Sequence, residues 1–265
     1  MRIGFILGLI AGPLLGAMPA AALNFFELEV YPATTEGKGV HEIESTTSFV
    51  ADGRAGPDEP PRHRLLRTSL EYNYGVTDKK DVAAYLDLQK PNGEDLAYAG
   101  ARFRARGAFW EKGRFPLDLG WYVEAEVPHD AASDLELEFR PIVSRDLGRF
   151  SVDLNPIFEL PTVSEERRTL EFDYAARVYY RLSRMLVPGV EFFGGVGQIR
   201  ALAPSREQEH YVFPVLYGRL ARGLRFVAGP GFGLTRASDP VLLKLGLEYE
   251  FTVPAGGRLP PRPTY

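Results

Sequence analysis

The chain has 265 residues, 45% of them hydrophobic and 25% charged, with a net charge of −4. That near-neutral balance supplies no basic footprint for nucleic acid. The absence of cysteine excludes a disulfide framework and thiolate metal sites, and suits a chain that crosses an oxidising compartment unfolded.

Met1 to Ala22 reads as a cleaved signal peptide, with Arg2 at its start, an apolar stretch from Ile3 to Leu15, and the small residues Ala20-Ala21-Ala22 before the cut. No other stretch approaches the ~18 uncharged apolar residues of a transmembrane helix. If the mature chain spans a membrane, it does so as a barrel. Residues 23–38 are expected to form a periplasmic N-terminal segment.

Twelve strand-like segments follow: Gly39–Val50, Arg64–Val76, Asp81–Gln89, Leu96–Trp110, Pro116–Val127, Asp134–Val143, Arg149–Leu160, Thr169–Ser183, Val187–Ile199, Glu209–Leu220, Gly223–Arg236 and Pro240–Phe251. Most run to about ten residues or more, against about five or six in globular proteins, and a tilted strand needs roughly nine to eleven to cross a bilayer. Side chains alternate across a strand. In Thr169–Ser183, Leu170, Phe172, Tyr174, Ala176, Val178 and Tyr180 oppose Glu171, Asp173, Arg177 and Arg181. Leu117, Leu119, Trp121 and Val123 oppose Asp118, Glu124 and Glu126, while Arg102, Arg104 and Arg106 share one face of the fourth segment. In the last segment Val241 to Phe251 form an apolar face, against Lys244, Glu248 and Glu250. Tyr249 and Phe251 end it as an aromatic pair. This resembles the terminal insertion signal of outer-membrane barrels, although Thr252–Tyr265 follow as a Pro-rich tail, expected in the periplasm.

The connections alternate between longer ones, beginning with Ala51–His63, and shorter joints near Thr77–Lys80, Glu111–Phe115, Ser144–Gly148, Arg184–Met185 and Ala221–Arg222. Barrels of the outer membrane pair long outside loops with short periplasmic turns. Ala237–Asp239 breaks the pattern, being short where a long loop is expected. Alternation alone also fits a secreted soluble β protein with its apolar face inside. Pro141, Pro156, Pro214 and Pro230 fall within strands and each should require a bulge.

Catalytic signatures are lacking: no GxSxG, HExxH, P-loop or EF-hand loop occurs. His41 with Ser45 could be drawn as a lipid-facing pair, and His129-Asp130 with Asp134 as a cation site in an outer loop. No catalytic, cofactor or metal residues are expected from either. What stands out is a charge constellation. A hairpin turning about residue 113 would set Arg102 opposite Glu124. One turning about residue 131 would set Glu126 against Glu136, Glu124 against Glu138 and Arg140 near Tyr122. These charges either neutralise one another and pin register, or form a constriction that orients solutes.

Tyr31-Pro32, Thr35-Glu36-Gly37-Lys38-Gly39 and Leu70-Glu71-Tyr72-Asn73-Tyr74-Gly75, together with the strand pattern, resemble the outer-membrane barrels of the MetA-pathway-of-phenol-degradation family. That resemblance implies a transporter-like barrel for small, often aromatic, compounds, and brings no catalytic residues.

The expectation is an all-β chain: an antiparallel up-and-down transmembrane β-barrel of twelve strands, over residues 39–251, in the outer membrane. It would be a monomer inserted by the barrel-assembly machinery into outer-membrane lipid, passing a small-molecule solute. A barrel with a plugged lumen and a partner-binding role, or a lipid-modifying barrel enzyme, are the alternatives.

Overall fold

A computed structural model describes residues 24–26, 28–54, 62–129, 135–161, 169–183 and 185–253. The expected signal peptide, residues 1–22, and the tail from residue 254 lie outside these. The described residues form β1 (Val40–Asp52), β2 (Leu66–Thr77), β3 (Lys80–Lys90), β4 (Ala97–Ala108), β5 (Asp118–Pro128), β6 (Glu136–Leu147), β7 (Phe150–Pro161), β8 (Glu171–Tyr180), β9 (Leu186–Gln198), β10 (Glu209–Ala221), β11 (Leu224–Gly233) and β12 (Val241–Thr252). Each strand pairs antiparallel with its chain neighbours, and β1 closes on β12 from Val40↔Thr252 to Asp52↔Val241. Closure removes every free edge, so the backbone is satisfied without water.

The faces decide between lipid and water outside. Phe103, Phe139 and Leu245 are 58%, 46% and 44% exposed, while Arg102, Arg140 and Lys244 on the alternate positions are 1%, 0% and 4% exposed. A soluble barrel would show the opposite. The wall is apolar outwards and charged inwards, as a bilayer-spanning barrel requires. Aromatic rings gather at its ends: His41, Tyr72, Tyr74, Tyr249 and Phe251 cluster where β1, β2 and β12 meet.

Loop lengths largely follow the expected alternation, with two corrections. β11 ends at Gly233, so the β11–β12 connection covers 234–240 and is not short. A side chain at residue 233 would collide with the Asp239 backbone, and Gly233 N–H donates to Pro240 O at 3.2 Å, so the loop folds back on the wall there. Conversely, the β4–β5 joint is longer than expected, over 109–117.

The four strand prolines are accommodated in pairs rather than by four bulges. Between the Phe139–Phe158 and Val143–Leu154 pairs the β6–β7 ladder is interrupted, and Pro141 faces Pro156 in the gap. The β10–β11 ladder is interrupted likewise between Val212–Phe232 and Leu216–Ala228, where Pro214 faces Pro230. Each proline keeps its register on its other side, opposite Trp121, Tyr174, Val190 and Leu243 respectively. A proline lacks one donor; facing two of them across one seam confines the loss to that seam.

Candidate functional site: the barrel lumen

The lumen is occupied by the chain's own N-terminal segment, which corrects the expectation that residues 23–38 lie in the periplasm. Phe25, Leu28, Val30, Tyr31 and Ala33 are all buried. Phe25 packs edge-on against Tyr211 at 5.7 Å, and its carbonyl accepts a bond from Ser48 Oγ at 2.8 Å. Asn24 Nδ2 donates to Glu126 Oε2 at 3.1 Å. Tyr31 is gripped twice by Asn155: its N–H donates to Oδ1 at 2.7 Å and its carbonyl accepts from Nδ2 at 2.9 Å. Ala33 N–H donates to Ser144 Oγ at 2.8 Å, and Glu36 N–H to Asp81 Oδ2 at 3.1 Å. Gly39 N–H then joins Gly75 O at 2.8 Å, where β1 begins. The segment therefore threads the barrel from the long-loop end to the short-turn end. Wall side chains take the place of a ladder in satisfying its backbone.

One side of the lumen is apolar. Phe193, Tyr211, Phe213, Val215, Val227 and Leu242 cluster with Phe25, Leu28 and Val30 of the segment. Gly231 leaves the space that the Phe213 ring fills. Such a wall would be costly to leave against water.

The other side is a network of charges. Arg102 Nε binds Asp87 Oδ2 at 2.8 Å, its Nη1 reaches Glu124 Oε1 at 3.4 Å, and its guanidinium lies 4.3 Å from the Tyr85 ring centre. Arg104 binds Glu71, Asp81 at 2.6 Å and the Tyr85 hydroxyl at 2.6 Å; Arg106 binds Asp81 at 2.9 Å. Arg140 pairs with Glu138 at 2.7 Å and stacks 4.6 Å from the Tyr122 ring, whose hydroxyl donates to Glu124 at 2.6 Å. Further round, Arg177 binds Asp153 at 2.6 Å and Lys244 binds Glu191 at 2.8 Å. Arg225 joins Glu42 at 2.7 Å to Glu248 at 2.6 Å, with Glu250 at 3.7 Å. Asp173 is buried and accepts from Val196 N–H at 3.3 Å. Glu126 and Glu136 pair in register near the long-loop end, and Glu171 opens β8 there.

The β5–β6 register is as expected, Tyr122↔Arg140, Glu124↔Glu138 and Glu126↔Glu136. The β4–β5 register is not: Arg102 stands opposite Glu126 and Arg104 opposite Glu124. The cause is the longer joint, in which Gly113 takes a positive φ of 79° and its N–H is held by Asp118 Oδ1 at 2.7 Å. The arginine column also leans on Glu71 of β2 and on Asp81 and Asp87 of β3; Asp81 and Asp87 are outside the constellation expected from the sequence, and their place on the charged face of β3 is the signal that marks them. Arg181 is corrected from lumen to rim, where it binds Asp146 at 3.0 Å and Gly148 O at 2.5 Å beyond the end of β8.

Two weaker candidates also find places. His41 Nδ1 pairs with the Tyr72 hydroxyl at 2.7 Å, and its ring stacks on Phe251 at 5.3 Å, within the aromatic cluster of the outer wall. His129 meets the Tyr98 ring edge at 5.1 Å, while Asp130 and Asp134 lie outside the described residues.

The architecture recurs in solved structures. An outer membrane channel from Pseudomonas putida F1 superposes with a TM-score of 0.59 over 84% of this chain and 100% of that one, at 12% identity. The chain is an outer-membrane β-barrel. The KdgM porin matches with a TM-score of 0.56 over 79% of the barrel chain and 99% of the porin, at 9% identity. A second structure of that porin, in complex with disordered oligogalacturonate, gives 0.50 over 80% and 99%, at 11% identity. At such identities the likeness is one of fold. No protein-family profile matches the barrel's sequence. Nor does any curated protein.

Proposed function

We propose that the barrel is a channel for passive movement of small solutes, held closed by its own N-terminal segment. The observation that carries this reading is the threaded segment itself, anchored by Ser48, Ser144, Asn155 and Asp81 and not by a continuous ladder. A few side-chain hydrogen bonds, each of net worth about 1 kcal/mol, and the burial of Phe25, Leu28 and Val30 hold the plug; none of these belongs to the β ladder, so the plug can move without dismantling the wall. Its withdrawal would bare Phe193, Phe213, Val215 and Leu242 on one side and the arginine–carboxylate network on the other. A lumen of that kind suits a solute with an apolar or aromatic body and a polar end, in keeping with the family resemblance. Tyr249 and Phe251 would serve the assembly machinery as insertion signal, and the barrel would work as a monomer.

A second reading keeps the plug permanently in place and makes the barrel a structural or interaction element. The filled lumen favours it. Planar-bilayer recording separates the two. Ionic current through the intact barrel supports the channel; a silent barrel under all voltages and solutes supports the permanent plug. In the same recordings, Arg102→Ala with Arg104→Ala should shift selectivity towards cations. Glu71, Asp81, Asp87 and Glu124 would keep their charge while losing these partners. Unchanged selectivity would show that these charges only pin the register.

A further inference from the structure

Three carboxylates meet inside the lumen where the plug touches β1 and β2. Oxygens of Glu29, Glu44 and Glu71 all lie within 4.8 Å of one another. Glu71 is shared with Arg104, which also serves Asp81. The neighbouring cations are engaged elsewhere, Lys244 with Glu191 and Arg225 with Glu42, Glu248 and Glu250. Among the described residues, neither Glu29 nor Glu44 has a basic group within ion-pair distance. Their other contacts are to hydroxyls and to each other: Tyr31 Oη donates to Glu29 Oε2 at 2.6 Å, Thr46 Oγ1 donates to Glu44 Oε1 at 2.9 Å, and the two carboxyls share a hydrogen bond whose proton a divalent cation would displace.

A second observation points the same way. Asn73 follows Glu71 on the same lumen-facing row of β2, opposite Glu42 in register as Glu71 is opposite Glu44. It is 0% exposed, and both its amide oxygen and its amide nitrogen lack a hydrogen-bond partner. A fully buried amide without partners is costly. Placed beside clustered carboxylates, its oxygen is a further hard donor.

We propose that Glu29, Glu44 and Glu71, with Asn73 beside them, form a binding site for a hard divalent cation of the Ca2+ type. Calcium takes carboxylate and amide oxygens at roughly 2.3–2.6 Å in flexible geometry. Oxygens on opposite sides of such an ion stand up to about 5 Å apart, in agreement with the spacing of the three carboxylates. Magnesium, which demands near-ideal octahedral geometry, is less well served by ligands from three separate segments. The ion would bridge the plug, through Glu29, to the wall, through Glu44 and Glu71. It would therefore act as a clasp on the closed state. The site stands on its own geometry, whether or not the lumen conducts.

The test is calorimetric titration of Ca2+ into the chelator-treated, detergent-solubilised full chain. The expected result is saturable binding of one Ca2+ per chain, weakened by about tenfold or more in Glu29→Gln and in Glu44→Gln, and unchanged in Glu171→Gln. Folding is checked by the gel shift on heating; since Glu29 is in the plug and not the wall, its variant keeps the barrel. Asn73→Ala should weaken binding too. Absence of saturable binding in the unaltered chain, or binding by Glu29→Gln equal to it, would overturn the proposal.

Discussion

Deletion of residues 24–33 is expected to raise single-channel conductance severalfold. That stretch supplies Phe25, Leu28 and Val30 to the apolar side of the lumen and the Tyr31 and Ala33 backbone to its polar side. An eight-stranded barrel is filled by its own side chains, whereas sixteen strands leave an open channel. Twelve lie between, and here the difference is made up by the plug. The wall should survive the deletion, because its closure runs through the β1–β12 ladder and not through the segment. Retention of the gel shift on heating checks this. Unchanged conductance in a folded deletion variant would mean that the wall's own side chains close the lumen.

The largest expected loss of stability comes from the outer wall. Leu245 lies midway along β12 and faces outwards, 44% exposed. Leu245→Arg should destabilise the barrel by about 2–4 kcal/mol, as for a cation on the lipid face near the bilayer midplane. Glu248→Gln, three residues on and facing the lumen, should cost much less. It weakens one of several contacts made by Arg225, at a site still partly open to water. Unfolding in denaturant from lipid vesicles measures both. Equal costs, or the reverse order, would contradict the assignment of lipid and lumen faces.

The wall was legible because its signal is a period of two repeated in every strand. In β12 the alternation alone assigns each side chain to lipid or lumen, and the exposures follow it along most of the strand. Register was legible where the connection matched its assumed length, as between β5 and β6. It slipped between β4 and β5, because nothing periodic marks how Gly113 and Asp118 shape the longer joint. The plug was not legible for a different reason. Its backbone bonds go to Ser48, Ser144 and Asn155, which lie far from it along the chain, and no local pattern encodes such partners. Phe25, Phe26, Leu28, Val30 and Tyr31 were the available hint, being too apolar for a segment left in water. The Glu29 cluster was hidden with it, since two of its members are wall residues and the third belongs to the plug.

The central claim, that conduction requires the N-terminal segment to leave the lumen, can be tested by locking it there. The chain has no cysteine, so a pair introduced by Ala33→Cys and Ser144→Cys has no competing partner. Ala33 N and Ser144 Oγ are 2.8 Å apart, which brings the two residues into contact across the plug and the wall. Bilayer recordings of this variant should be silent when the bridge is formed and should gain current on adding reductant. Current that persists with the bridge formed, or that fails to appear after its reduction, would contradict the account.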